Sequence, residues 1–281
     1  MIKGLGTALI TPFKADKSVD YEALARLLDT QLTGAVDYIV VLGTTGEAAT
    51  MTEEEKREVR TFIRTYVNGR LPLVLGVGGN NTAAVCESLK TIDLTGFEAI
   101  LSVCPYYNKP NQEGLFQHFR AVAEASPIPV ILYNVPGRTG VNLLPETVMR
   151  IYEAQPKKIL GIKEASGNLE QIKHLIDLAK DKLMVISGDD GIACEIMEAG
   201  GAGLISVASN AFPEDFYAIV HEKDQAKQAQ YEQMVKLLFK EGNPVGIKAV
   251  LAQKGIIQNY LRLPLVPASA VLQEDIQKEL A

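Results

Sequence analysis

Cysteine is scarce in this sequence. Three residues in 281, Cys86, Cys104 and Cys194, stand far apart and are odd in number. That spacing offers no disulfide framework, and reduced thiols in a cytoplasmic protein are expected. Histidine is as sparse: His118, His174 and His221 are scattered, with no HExxH and no Cys/His cluster. No metal site is expected, and each histidine reads as a solvated helix residue. A basic excess is missing too. The formal charge of -6 and the pI near 5.3 argue against a nucleic-acid or anionic-membrane surface. No apolar run approaches the roughly 18 residues of a membrane span. The opening Met1-Ile2-Lys3-Gly4 leads directly into a strand-like run without a signal-peptide pattern. No low-complexity linker or internal repeat interrupts the chain.

What the chain does have is apolar material in short runs. Hydrophobic residues make up 47% and charged residues 22%, enough for a large buried core. Eight runs rich in Val, Ile and Leu cover 5–13, 36–44, 71–79, 97–107, 128–135, 158–166, 183–190 and 201–209. They show little polar alternation, as strands covered on both faces require. Amphipathic segments separate them. The segment 52–66 opens with Thr52 and Glu55 at capping-box spacing, and 145–154 has Pro145 in its first turn. Eight such units predict an α/β fold, the (β/α)8 or TIM barrel. A doubly wound sheet calls for G-x-G-x-x-G after the first strand. That motif is absent, and "GVGGNN" after the third run is a poor match. Beyond residue 223 the strands stop and three helical segments follow, 223–242, 243–255 and 269–280. The expected organisation is a catalytic barrel over 1–223 and a C-terminal helical domain over 224–281.

Reactive groups in such barrels gather at the C-terminal ends of the strands. Here those ends carry Thr44, Thr45, Tyr106, Tyr107, Tyr133, Lys163, Asp189 and Asp190 among others. They hold no acid/base pair of carboxylates and no Ser/His/Asp set; Asp189 and Asp190 sit where a helix begins and read as caps. Lys163 is the only cation at a strand end itself, in "GIKEASG", and alternation puts Glu164 on the opposite face. An inward lysine loses hydration, which favours the neutral amine that attacks carbonyls to form a Schiff base. The other reading is a rim lysine that snorkels to solvent. The glycines, hydroxyls and amides of "GTTGE" (43–47) suit a carboxylate, or form a plain turn before a capped helix. Arg138 in "YNVPGRTG" suits a second carboxylate, or a surface ion pair. Tyr133 and Tyr107 relay protons, or pack the rim. Taken together these residues point to aldol-type chemistry on a 2-oxo acid. A non-catalytic barrel that binds a 2-oxo acid is the alternative from another class.

"GTTGEA", "PYYNKPNQEGLFQHF", "YNVPGRTG", "GIKEASGN" and "SGDD", in this order, resemble the dihydrodipicolinate synthase family of pyruvate-dependent Schiff-base lyases. The likeness runs from "GLGTALITPF" to "NPVGIKAVL", essentially the whole chain. It implies condensation of pyruvate with L-aspartate 4-semialdehyde, in the diaminopimelate route to lysine. Lys163 would form the imine, and Thr44 and Thr45 would hold the pyruvate carboxylate. Tyr133, Thr44 and Tyr107 would relay protons, with Tyr107 entering from a neighbouring subunit of a homotetramer built as a dimer of dimers. Gly188 and Ile205 would line the pyruvate pocket, with no organic cofactor or metal. Arg138 would hold the semialdehyde carboxylate; the sister N-acetylneuraminate lyases and 2-keto-3-deoxygluconate aldolases carry something else there. Ala49, Asn80 and Tyr106 match the effector cleft of lysine-inhibited members. Ala48, Glu53, Lys56 and Ala84 depart from it, so weak or absent feedback is expected.

Overall fold

A computed structural model describes residues 2–281; Met1, where the expected barrel begins, lies outside the described residues. Eight parallel strands, β1 (Gly4–Ala8), β2 (Tyr38–Val41), β3 (Leu73–Gly76), β4 (Ala99–Val103), β5 (Val130–Asn134), β6 (Ile159–Glu164), β7 (Met184–Ser187) and β8 (Gly203–Ser206), close in sequence order into a barrel. Seven lie inside one of the apolar runs, β1 begins one residue before its run at Gly4, and every run overshoots the C-terminal end of its strand. Leu9 to Phe13 show why: all five are buried, yet Phe13 leaves the ladder for an isolated bridge with Val19. Apolar composition reports burial, and burial extends into the loops at the strand ends.

The helices are α1 (Tyr21–Thr33), α2 (Glu53–Val67), α3 (Thr82–Thr91), α4 (Gln112–Ala125), α5 (Pro136–Thr139), α6 (Pro145–Ala154), α7 (Leu169–Ala179), α8 (Ala193–Glu198), α9 (Pro213–Tyr217), α10 (Gln225–Lys240), α11 (Val245–Gln253) and α12 (Ala270–Leu280). The expected capping box is present: Glu55 N donates to Thr52 Oγ1 at 3.2 Å, and Thr52 N to Glu55 Oε2 at 2.9 Å. Pro145 begins α6, where a missing N–H costs nothing. No helix among the described residues is long and apolar enough to cross a membrane.

The chain divides into two compact units. One comprises residues up to Pro72 with Ser206–Ala281, the other Leu73–Ile205. In the first, α10 packs on α11 and α12, and a buried polar set joins the Thr7 hydroxyl to Gln31 Oε1 at 2.7 Å and Ser209 Oγ at 2.8 Å. In the second, β5 and β6 pair with one irregularity. Val130 lies opposite Ile159, but Ile131 lies opposite Gly161, so Leu160 is an extra residue in β6. Above it the register runs Leu132 to Ile162, Tyr133 to Lys163 and Asn134 to Glu164.

One histidine departs from expectation. His118 is buried in α4, not solvated; Nδ1 lies 2.9 Å from Thr82 Oγ1, and burial lowers its pKa to about 4. The apolar face of α4 took it in because a neutral imidazole costs far less to bury than a charge. No disulfide joins the cysteines, and no metal-binding cluster occurs among the described residues.

Candidate active site

Strand register sorts the residues at the end of β5 and β6 into two layers. Paired residues of neighbouring strands share a face, and successive residues alternate. Tyr133 and Lys163 therefore share one layer: Lys163 Nζ lies 4.6 Å from the centroid of the Tyr133 ring. Both are buried, at 6% exposure for Lys163 and 7% for Tyr133. The snorkelling alternative does not fit that burial. Gly188, just past β7, makes room for the amine: a Cβ there would stand 2.8 Å from Lys163 Cε and 2.6 Å from Ala165 Cβ. Ile205, in β8, is wholly buried.

The other layer holds Asn134 and Glu164. Glu164 Oε2 accepts from Asn134 Nδ2 at 2.9 Å, and Oε1 accepts from Ser166 N at 2.7 Å. Burial raises the Glu164 pKa, against the pull of those hydrogen bonds. Its carboxylate is thus committed to the face away from Lys163, as strand alternation predicts. Asn134 Oδ1 in turn accepts from Leu143 N at 2.9 Å, and Asn134 Nδ2 reaches Asn142 Oδ1 at 2.8 Å. This network ties the 139–143 loop to β5 and β6. The sequence reading did not single out Asn134, Asn142 or Glu164 as supports. Asn134 and Glu164 did carry a signal, as polar residues in apolar strands directly beside Tyr133 and Lys163; Asn142, in the loop after α5, carried none.

Arg138 is exposed on the short helix α5, which Pro136 starts and Gly140 ends at φ 73. The loop before α4 touches it, since Tyr107 N lies 3.4 Å from Thr139 O. Tyr107 has φ 74 and is 87% exposed. A positive φ on a bulky residue is uncommon and costs energy. At that exposure the ring packs little against its own chain. Tyr106 is 44% exposed, and Asn80 O accepts from Asn108 Nδ2 at 2.8 Å. Asp189 caps the turn 190–192, accepting from Gly191 N at 2.9 Å, as read from the sequence.

In the other unit, Thr44–Gly46 form a single 3-10 turn after β2. Thr44 is exposed and Thr45 buried. Gly46 O accepts from Thr11 Oγ1 at 2.8 Å, and Thr45 Oγ1 accepts from Asn243 Nδ2 at 2.9 Å. Glu47 follows with φ 53 and forms a fully buried ion pair with Lys248 of α11. Glu47 Oε2 also accepts from Arg262 N at 3.1 Å. Lys248 Nζ donates to Tyr260 O at 3.0 Å and lies 4.2 Å from the Phe13 ring centroid. Burial lowers the Lys248 pKa to about 8, with Glu47 opposing the shift. The Arg262 side chain bonds Glu55 through Nη1 at 2.8 Å and Nη2 at 2.5 Å, which pulls the Glu55 pKa down to about 2. Ala49 is exposed here, and Glu53 is bridged by Lys56 at 2.8 Å. Asn243, Lys248 and Arg262 escaped the sequence reading. Lys248 in the apolar "VGIKAVL" was their one local signal.

A family model described as the dihydrodipicolinate synthetase family matches residues 1–281. A 4-hydroxy-tetrahydrodipicolinate synthase from Parabacteroides distasonis is 50% identical over 286 residues, covering 99% of this chain and 96% of that protein. Among solved structures, the dihydrodipicolinate synthase of Thermotoga maritima superposes with a TM-score of 0.96 at 40% identity, covering 100% of this chain and 98% of that one. The chloride-inhibited enzyme of Acinetobacter baumannii, solved with pyruvate, gives 0.95 at 39% identity, with the same coverages of 100% and 98%.

Proposed function

The chain belongs to the dihydrodipicolinate synthetase family, and from that premise we propose that it condenses pyruvate with L-aspartate 4-semialdehyde through a Schiff base on Lys163. The observation that carries this reading is the buried amine of Lys163 beside the Tyr133 ring, with Glu164 turned to the other face. The carboxylate next to it in sequence, Glu164, is held on the other face by Asn134 Nδ2 and Ser166 N.

The steps follow from that amine. Neutral Nζ attacks the pyruvate ketone, and loss of water from the carbinolamine gives the imine. The imine withdraws electrons, so a methyl proton leaves and an enamine forms. The enamine carbon attacks the semialdehyde carbonyl, making a carbon–carbon bond and an alkoxide that takes a proton from the relay. The substrate amine then displaces Nζ, closing a six-membered ring and freeing Lys163. The family resemblance assigns the pyruvate carboxylate to Thr44 and Thr45, its pocket lining to Gly188 and Ile205, and the relay to Tyr133, Thr44 and Tyr107. The exposure and strained backbone of Tyr107 suit a ring that serves a neighbouring subunit, and so a homotetramer built as a dimer of dimers. We assign residues 1–223 to the catalytic barrel, 224–281 to the helical extension, and the protein to the cytoplasm.

Borohydride reduction in the presence of pyruvate tests the reading. A mass increment on the peptide that contains Lys163 is expected; turnover with an unmodified peptide would reject it. Arg138→Ala tests the second substrate. A charge-assisted hydrogen bond contributes about 1.5–3 kcal/mol, so kcat/KM for the semialdehyde should fall by roughly 10- to 100-fold. Trapping with pyruvate should persist in that variant. Undiminished synthase activity in that variant would show that Arg138 does not hold the semialdehyde carboxylate. Feedback is the third test. Ala84 offers no carboxylate to a lysine effector, and Lys56 already occupies Glu53. Initial rates should stay unchanged in millimolar lysine, and half-inhibition below that range would overturn the expectation.

A further inference from the structure

Three residues near the C-terminal end of the chain, Asn243, Lys248 and Arg262, converge on one short turn. That turn, Thr44–Gly46 with Glu47, is the segment to which the proposed function assigns the pyruvate carboxylate. The contacts are specific in direction. A threonine hydroxyl has one proton and two lone pairs. Asn243 Nδ2 occupies one of the two lone pairs of Thr45 Oγ1 at 2.9 Å, which anchors the oxygen and leaves its proton available to an outside acceptor. An anion selects a hydroxyl presented in this way, since it accepts and never donates.

The ion pair adds a second hold. Glu47 and Lys248 are both buried, at 4% and 0% exposure. Burying two charges is a poor way to gain stability, because desolvation offsets their attraction. What such a pair fixes well is position. Glu47 stands in the left-handed region at φ 53, where a side chain other than glycine needs external support. Lys248 on one oxygen and Arg262 N on the other supply it.

We propose that Asn243 and Lys248 are positioning residues for carboxylate binding: Asn243 anchors the Thr45 hydroxyl oxygen so that its proton can be given to the carboxylate, and Lys248 holds the turn through Glu47. The inference rests on the reading that Thr45 receives the pyruvate carboxylate. The helical extension then acts in substrate recognition without touching substrate.

The test is the pyruvate dependence of borohydride trapping, alongside steady-state kinetics. The variants are Asn243→Ala and the doubly neutral Glu47→Gln/Lys248→Met, which leaves no unpaired buried charge if a single change fails to fold. Loss of uniform binding raises KM and spares kcat. Asn243→Ala should therefore raise the half-saturating pyruvate concentration about tenfold, the scale of one hydrogen bond to a charged group. It should leave kcat and the semialdehyde KM nearly unchanged. The double variant should shift in the same direction by less. A merely structural role would lower the trapped fraction at saturation without moving half-saturation, and that result overturns the proposal. So does an equal rise in KM for both substrates. Absence of any adduct in the unsubstituted chain would instead overturn the Schiff-base reading beneath it.

Discussion

Lys163→Ala should abolish the borohydride-trappable adduct and lower turnover by about 10³-fold or more, the scale of losing a covalent nucleophile. No other side chain can take its place. The β5–β6 register presents one amine beside Tyr133, and the next residue, Glu164, is committed to Asn134 and Ser166. Lys163→Met keeps most of the side-chain volume against the Tyr133 ring and should be equally inactive. Both variants should unfold at or above the wild-type denaturant midpoint, because a buried amine is removed and no partner is orphaned. A substituted chain that still turned over, or an adduct mapped to another lysine, would remove the foundation of the mechanism.

The largest loss of stability is expected from Lys248→Met. Removing one partner of a buried ion pair leaves the other charge uncompensated, at a cost of about 3–5 kcal/mol. Glu47 would be that charge, at 4% exposure. Glu47→Gln/Lys248→Met should recover most of the loss, since Gln keeps an acceptor for Arg262 N and no charge stays buried. Urea denaturation of the three chains measures this; a single variant as stable as wild type would show the pair to be solvated.

The sequence made some of this legible because some of it is local. Continuous Val, Ile and Leu runs mark strands covered on both faces, and all eight were visible. Thr52 and Glu55 lie three residues apart, so their mutual capping could be read without any tertiary knowledge. Lys163 and Glu164 were placed on opposite faces by alternation alone, and their partners in space agree with that placement. What stayed hidden is long-range. Asn243 meets Thr45 across 198 positions, and Arg262 meets Glu47 across 215. No local period encodes such a meeting. His118 departs from expectation for a related reason: one polar residue on a helix carries no sign of whether its neighbours bury it. The strand ends were overextended because Leu9 and Ile10 are as buried as the strand they leave.

The extra residue in β6 settles a matter of parity. Were Leu160 paired in step with β5, the register set by Val130 and Ile159 would carry upward unchanged. Ile162 would then face Tyr133, and Lys163 would fall opposite Asn134. The amine would turn toward the helices, and an aliphatic side chain would stand where the ketone must arrive. One unpaired residue near the foot of the strand converts an odd offset into an even one. The chemistry at the top of β6 thus hangs on a count made three residues below Lys163.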